Sequence, residues 1–206
     1  MDPVERRRPL SELLTDICDD PEPMVTVGEI VRRLGRRSFG ALLFVFGAPA
    51  AFPLPPGVST FLAAPLVLLA PQIAVGVHGP WLPRLVNDRG MDRSRLAGTL
   101  RKLVPMLERI ELVSGPRLVF LFGPVGDRLI GVTVTLLALV LLLPIPLGNM
   151  APGAAIAVFG LAMIQRDGFL ALIGYAITAA SLGLLVISWR LAAGFVEHLA
   201  RAWGLL

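Results

Sequence analysis

Long stretches of this chain carry no charge. No Asp, Glu, Lys or Arg occurs in residues 38–77, 129–164 or 168–189. Apolar residues make up 55% of the whole and mean hydropathy is +0.74, above the apolar share of about 45–50% usual for soluble domains. These absences mark an integral membrane protein. Cysteine is almost missing, and the single Cys18 excludes an intramolecular disulfide and a multi-cysteine metal site. The first 37 residues lack the apolar core of a signal peptide, since Asp16, Asp19, Asp20 and Glu22 fall where it would lie. The N-terminus is therefore expected to stay in the cytoplasm. A nucleophile elbow, zinc spacing, P-loop and dinucleotide fingerprint are also lacking, so neither enzymatic activity nor a cofactor or metal is expected.

What is present is a basic, segmented pattern. The net charge of +4 and pI near 10.5 come from residues flanking the apolar runs, as membrane topology requires, and no nucleic-acid partner follows from them. Arginine supplies nearly all of that charge, Lys102 being the only lysine. Residues 1–34 form an amphipathic N-terminal region. Leu10, Leu13, Leu14 and Ile17 make one stripe of a helix over 10–20. Thr26-Val27-Gly28-Glu29 fits a capping box that starts a second helix through Ile30, Val31 and Leu34. Both helices are expected on the cytoplasmic membrane surface.

An internal repeat follows. Gly35-Arg36-Arg37-Ser38-Phe39-Gly40 leads into an apolar run broken at Pro53-Leu54-Pro55-Pro56-Gly57. Gly126-Asp127-Arg128-Leu129-Ile130-Gly131 leads into another, broken at Pro144-Ile145-Pro146-Leu147-Gly148. The offset is constant, so Gly35/Gly126, Arg37/Arg128, Gly40/Gly131, Pro53/Pro144, Pro55/Pro146 and Gly57/Gly148 are identical pairs. Repeats built around Pro-Gly breaks in apolar sequence point to transporter-like proteins with interrupted helices.

The predicted organisation is repeat 1 over 35–83, a basic cytoplasmic connector over 84–117 and repeat 2 over 118–168. A transmembrane helix over 169–190 and an interfacial tail over 191–206 complete it. The arm 38–52 has about 15 residues, roughly 22 Å of helix, against a hydrocarbon core near 30 Å. With basic flanks on both sides, repeat 1 enters and leaves on one face, and the short arm favours a re-entrant hairpin over two crossings. In the second arm, Pro65 and Pro71 are expected to kink or break the helix. Trp81 resembles an interfacial anchor. In repeat 2 the arms are expected over 129–143 and 154–164. The repeats are inverted if the segment 113–122 crosses and parallel if it does not; analogy with broken-helix transporters favours inverted.

Unpaired backbone cannot face lipid, so both breaks should line protein or a watery cavity. The helix-break residues Pro53, Pro55, Gly57, Pro144, Pro146 and Gly148 would shape that path. Arg37 and Arg128, matched where each hairpin begins, are candidates for holding an anionic substrate or lipid phosphate. A lone Arg there would more often snorkel to head groups. Gln72, Asn149 and Gln165 are neutral polar candidates, Gln72 equally fitting interhelical glue. Asp167 is a candidate for substrate binding and proton coupling, or a cap of the next helix; Asp127 is a weaker one. His78 and His198 are read as bystanders.

Together with Pro65-Leu66, Pro80-Trp81-Leu82-Pro83, Glu108-Arg109, Pro116-Arg117 and Asp167-Gly168, these motifs resemble the exopolysaccharide-synthesis ExoD family over about 10–190. Ala63-Ala64, where the family pattern has a glycine, and the extra Pro71 depart from it. The paired hairpins are also similar in plan to DedA-type membrane proteins. The resemblance implies a bacterial inner-membrane protein linked to exopolysaccharide production. The combined expectation is an all-α integral membrane protein, multi-pass in the lipid bilayer and a homodimer, that moves a small anionic or lipid-phosphate substrate with proton coupling. The alternative is an accessory scaffold for polysaccharide synthesis or export.

Overall fold

The computed structural model describes residues 10–55, 57–94, 96–98, 101, 105, 118–143 and 148–202. Helices α1 (Leu10–Asp19) and α2 (Val27–Leu34) flank strand β1 (Met24–Thr26). Then come α3 (Arg37–Ala50), α4 (Val58–Val75), the single turn α5 (Arg84–Asn87) and strand β2 (Gly90–Asp92). After a short 3-10 turn at Val119–Leu121 follow α6 (Pro124–Leu142), α7 (Met150–Gln165) and α8 (Gly168–Ala202). Among the described residues, three helical stretches are long and apolar enough to cross a membrane: Val58–Val75, Pro124–Leu142 and Gly168–Ile187. The chain is a helical membrane protein with a small collar of α1, α2, β1, α5 and β2 at one end of its helical bundle.

The collar shows the Thr26 half of the expected capping box, while the Glu29 carboxylate accepts from Arg33 at 2.7 Å. Thr26 caps α2, its hydroxyl accepting from Glu29 N at 3.2 Å. The ribbon was not foreseen: β1 pairs antiparallel with β2, Val25 opposite Met91. Leu14, Ile17, Val25 and Leu34 form a buried cluster that also takes in Ile164 of α7 and packs on Ala41 of α3. The described residues 10–34 of the N-terminal region and 90–94 and 96 of the connector therefore pack together on the bundle through Val25, Met91, Leu96 and Ile164.

Four helices form the bundle in crossed pairs. α3 lies antiparallel along α7, and α4 antiparallel along α6, so each arm packs chiefly on an arm of the other repeat. Small residues permit the approach. A Cβ on Gly40 would fall 2.6 Å from the Gly160 carbonyl oxygen, and one on Gly47 would fall 2.8 Å from Ala157 N. One on Gly131 would fall 2.3 Å from Ala74 N. The contacts respect the repeat: Gly40 meets Ile164 as Gly131 meets Ile73, each partner displaced by the same 91 positions. Leu43, Leu66, Val134, Leu137, Leu141, Ile156 and Phe159 fill the centre, and α8 packs on α7 with Phe159 edge-on to Tyr175 at 4.9 Å.

Several expectations change. The repeats are not inverted. Arg36, at the start of α3, bonds to Asp127 in the first turn of α6. At the opposite end Asn149 bonds to Ser59, and Thr60 to the Leu142 carbonyl. Both hairpins thus open toward the collar and turn at the far end, a parallel relation about an axis along the bundle. The described part of the segment expected to cross, Leu118–Phe122, stays at the collar end, where Leu118 lies against Gly168. Pro65 and Pro71 do not break α4, which is continuous; with no water to compete for them, the remaining helical bonds persist. The arms of repeat 2 are longer than predicted, 19 and 16 residues. The backbone of α8 runs on to Ala202 with no break at 190.

Candidate functional site

A small cleft, with a cavity volume of about 40 Å³, opens at the collar end of the bundle. Arg36, Arg37, Asp127 and Arg166 supply its polar side; Phe39, Ile73, Val77, Phe122 and Met163 supply its apolar side. The local folds that present these groups differ. Gly35, with φ of 56°, ends α2 and turns the chain so that Arg36 and Arg37 start α3. Pro124 at the first turn of α6 sets Asp127 near that helix N-terminus, where a negative charge is favoured. Arg166 ends α7 in the left-handed region, φ 52°. Its N–H and that of Asp167 both return to the Ala162 carbonyl, Asp167 at 3.1 Å, the closure usually built on glycine. An arginine held in that conformation at a cleft is a pointer to function.

Asp127 is 8% exposed, and its Oδ2 accepts from Arg36 Nη2 at 3.0 Å. The two are 91 residues apart, which is the repeat offset, so an arginine in repeat 1 meets the aspartate that replaces it in repeat 2. They straddle the pseudo-two-fold axis at the collar end. The identical pair Arg37/Arg128 pointed away from Arg36, which the sequence reading did not select. The signal was there in the unlike pair, since opposite charges at equivalent positions can meet on such an axis.

The other predicted site residues scatter. Arg37 lines the cleft, whereas Arg128 does not and lies over Gly76. Gln72 secures the loop after α4: its Oε1 accepts from Trp81 N at 2.7 Å, and its Nε2 donates to the Trp81 carbonyl at 3.1 Å. This is a tether rather than a cavity wall. Asp167, 2% exposed, caps α8 by accepting from Phe169 N at 2.9 Å. Asn149 is buried at the far end, its Nδ2 donating to Ser59 Oγ and the Leu143 carbonyl, both at 2.9 Å. Gln165 is half-buried, and its Nε2 has no hydrogen-bond partner among the described residues. Pro53, Pro55, Gly57 and Gly148 also mark the far end, with Gly57 left-handed at φ 91°. Pro144 and Pro146 lie outside the described residues. The breaks and the arginine cleft are thus separated by the length of α3, about 21 Å at 1.5 Å per residue, and do not form one site.

Residues 10–187 match the family described as "Exopolysaccharide synthesis, ExoD". Protein ExoD of Rhizobium meliloti (strain 1021) is 33% identical over 177 residues, 83% of this chain and 73% of that protein. An uncharacterized protein of Synechocystis sp. is 29% identical over 183 residues, 87% of this chain and 86% of that protein. No solved structure matches the chain. With the match spanning the collar, both hairpins and the apolar part of α8, this chain belongs to the ExoD family of exopolysaccharide-synthesis proteins.

Proposed function

We propose that this chain is a non-enzymatic membrane transporter that takes an anion bearing a phosphate, free or on a lipid, at the collar-end cleft. The observation that carries this reading is the pairing of Arg36 and Arg166 with an apolar wall of Phe39, Ile73, Phe122 and Met163. Guanidinium groups match phosphate oxygens in geometry and charge, and an adjoining apolar wall accepts the hydrophobic part of an amphiphile. Arg37 shares the cleft and belongs to the same binding set. In this reading the collar faces the cytoplasm, the bilayer is that of the bacterial cytoplasmic membrane, and a second copy supplies walls that a chain with three span-length helices lacks. Proton coupling, if the transport uses it, runs through Asp127 or Asp167, the buried carboxylates at the cleft end of the bundle.

The test is flux in proteoliposomes. Uptake of radiolabelled phosphate, or flipping of a fluorescent lipid phosphate, should exceed that of empty vesicles. It should fall about tenfold or more in Arg166→Ala, because a charge-assisted contact is lost. No flux for either probe, or flux indifferent to Arg36 and Arg166, would sink transport. A second reading, an accessory protein docking a polysaccharide-synthesis machine, draws on the collar surface, where Leu85 and Phe120 are exposed. Capture of the polysaccharide synthase by wild type but not by Leu85→Glu, with no flux, would favour it.

A further inference from the structure

The cleft already holds an anion of its own. Asp127 is buried on its polar side and bonded to Arg36, whose side chain is 47% exposed. Arg36 bonds to Asp127 through Nη2, and Arg166 lines the same cleft, so a phosphate entering there has both guanidinium groups within the site. We propose that Asp127 is a built-in competitor for the ligand: a phosphate binds by displacing the Asp127 carboxylate from Arg36. This inference rests on the cleft being a phosphate site, and it names the residue that sets its selectivity. A phosphate offers more oxygens than the carboxylate it displaces and bridges Arg36 to Arg166, whereas chloride offers neither bridge nor fork geometry. The competitor therefore sets a threshold that weak anions do not pass. Because Arg36 and Asp127 start equivalent arms, α3 and α6, the displacement also releases a tie between the two hairpins at the collar end.

The experiment is anion binding to the full chain in phosphatidylcholine nanodiscs, with inorganic phosphate and chloride as probes, and in nanodiscs containing phosphatidic acid. The two phosphate arms separate a free from a lipid-borne ligand. Asp127→Asn should bind phosphate about tenfold more tightly than wild type, since a charged competitor is lost. It should also gain chloride binding that wild type lacks. Asp127→Glu should stay close to wild type, and Asp127→Ser is the second variant should the asparagine protein fail to fold. In the wild type itself, saturating phosphate should speed amide exchange at residues 36–39 and 126–129 as the pair opens. Phosphate binding that is equal or weaker in Asp127→Asn, or slower exchange at those starts, would overturn the competitor while leaving the cleft a phosphate site. Absence of phosphate binding in wild type and every variant, in both nanodisc types, would overturn the cleft reading itself and this inference with it.

Discussion

Arg93 shows how much one side chain of the collar decides. It is 4% exposed, donates to the Ile17 carbonyl at 2.6 Å and to the Met24 carbonyl at 3.4 Å, and lies within 4 Å of Asp20 and Glu29. It thus joins α1, β1 and α2 from the connector. Arg93→Ala should cost about 2–4 kcal/mol, since buried acceptors and carboxylates lose their cation. The loss should read as faster amide exchange across residues 10–34 with the bundle unchanged. Asp20 adds an acid-sensitive contact. Its hydrogen bond to Arg33 holds the carboxyl below its usual value. A depressed pKa contributes stability that is present above the unfolded carboxylate range and lost as pH falls through the folded value. The collar should therefore loosen in acid, and Asp20→Asn should flatten that dependence. Burial pushes the Cys18 thiol up, so its reaction with a polar maleimide at neutral pH should be slower than that of a free thiol. In the sequence Arg93 read as one more basic connector residue, because its burial depends on contacts such as that with the Met24 carbonyl, 69 positions away.

At the scale of elements, the crossed helix pairs depend on missing side chains. Gly40, Gly47, Gly153 and Gly160 line the α3–α7 contact, each with backbone where a Cβ would go. Gly40→Val or Gly160→Val should destabilise by about 1–3 kcal/mol or more through overpacking. Gly183→Ala, with open space around it, should be neutral. Thermal unfolding in detergent distinguishes these; equal loss in all three would refute close packing at the α3–α7 contact. The helices α1 and α2, with the Thr26 cap, were legible because each rests on local chemistry within a few residues. The β1–β2 ribbon was not. Strands of three residues have too little pattern to read, and their pairing is set by the bundle bringing the ends of repeat 1 together. The prolines leave α4 one continuous helix, since backbone groups freed by a break would find no water in lipid.

For the whole molecule, the decisive feature is that both hairpins point the same way. On a Cys18→Ser background, single cysteines at Phe52 and Leu143, both exposed and both beside a break, should become accessible from the same side of the membrane. That side should be opposite the collar. Labelling from opposite sides would restore the inverted relation and break the link between Arg36 and Asp127 on which the cleft depends. Equal pairing of unlike residues on one axis also explains why the cleft is asymmetric. Two identical halves would set arginine against arginine, and the change to Asp127 turns repulsion into an ion pair.

By itself the sequence determined that the protein is helical, that it belongs in a membrane, and where the Thr26 cap of α2 falls. These follow from composition and from interactions that reach only a few residues. The tertiary structure alone decided the direction of the second hairpin, the pairing of arms across repeats, and the meeting of Arg36, Asp127 and Arg166. A repeat offset says which positions are equivalent, but only packing says whether a rotation brings them face to face. That packing was governed by which small residues let the backbones close on each other.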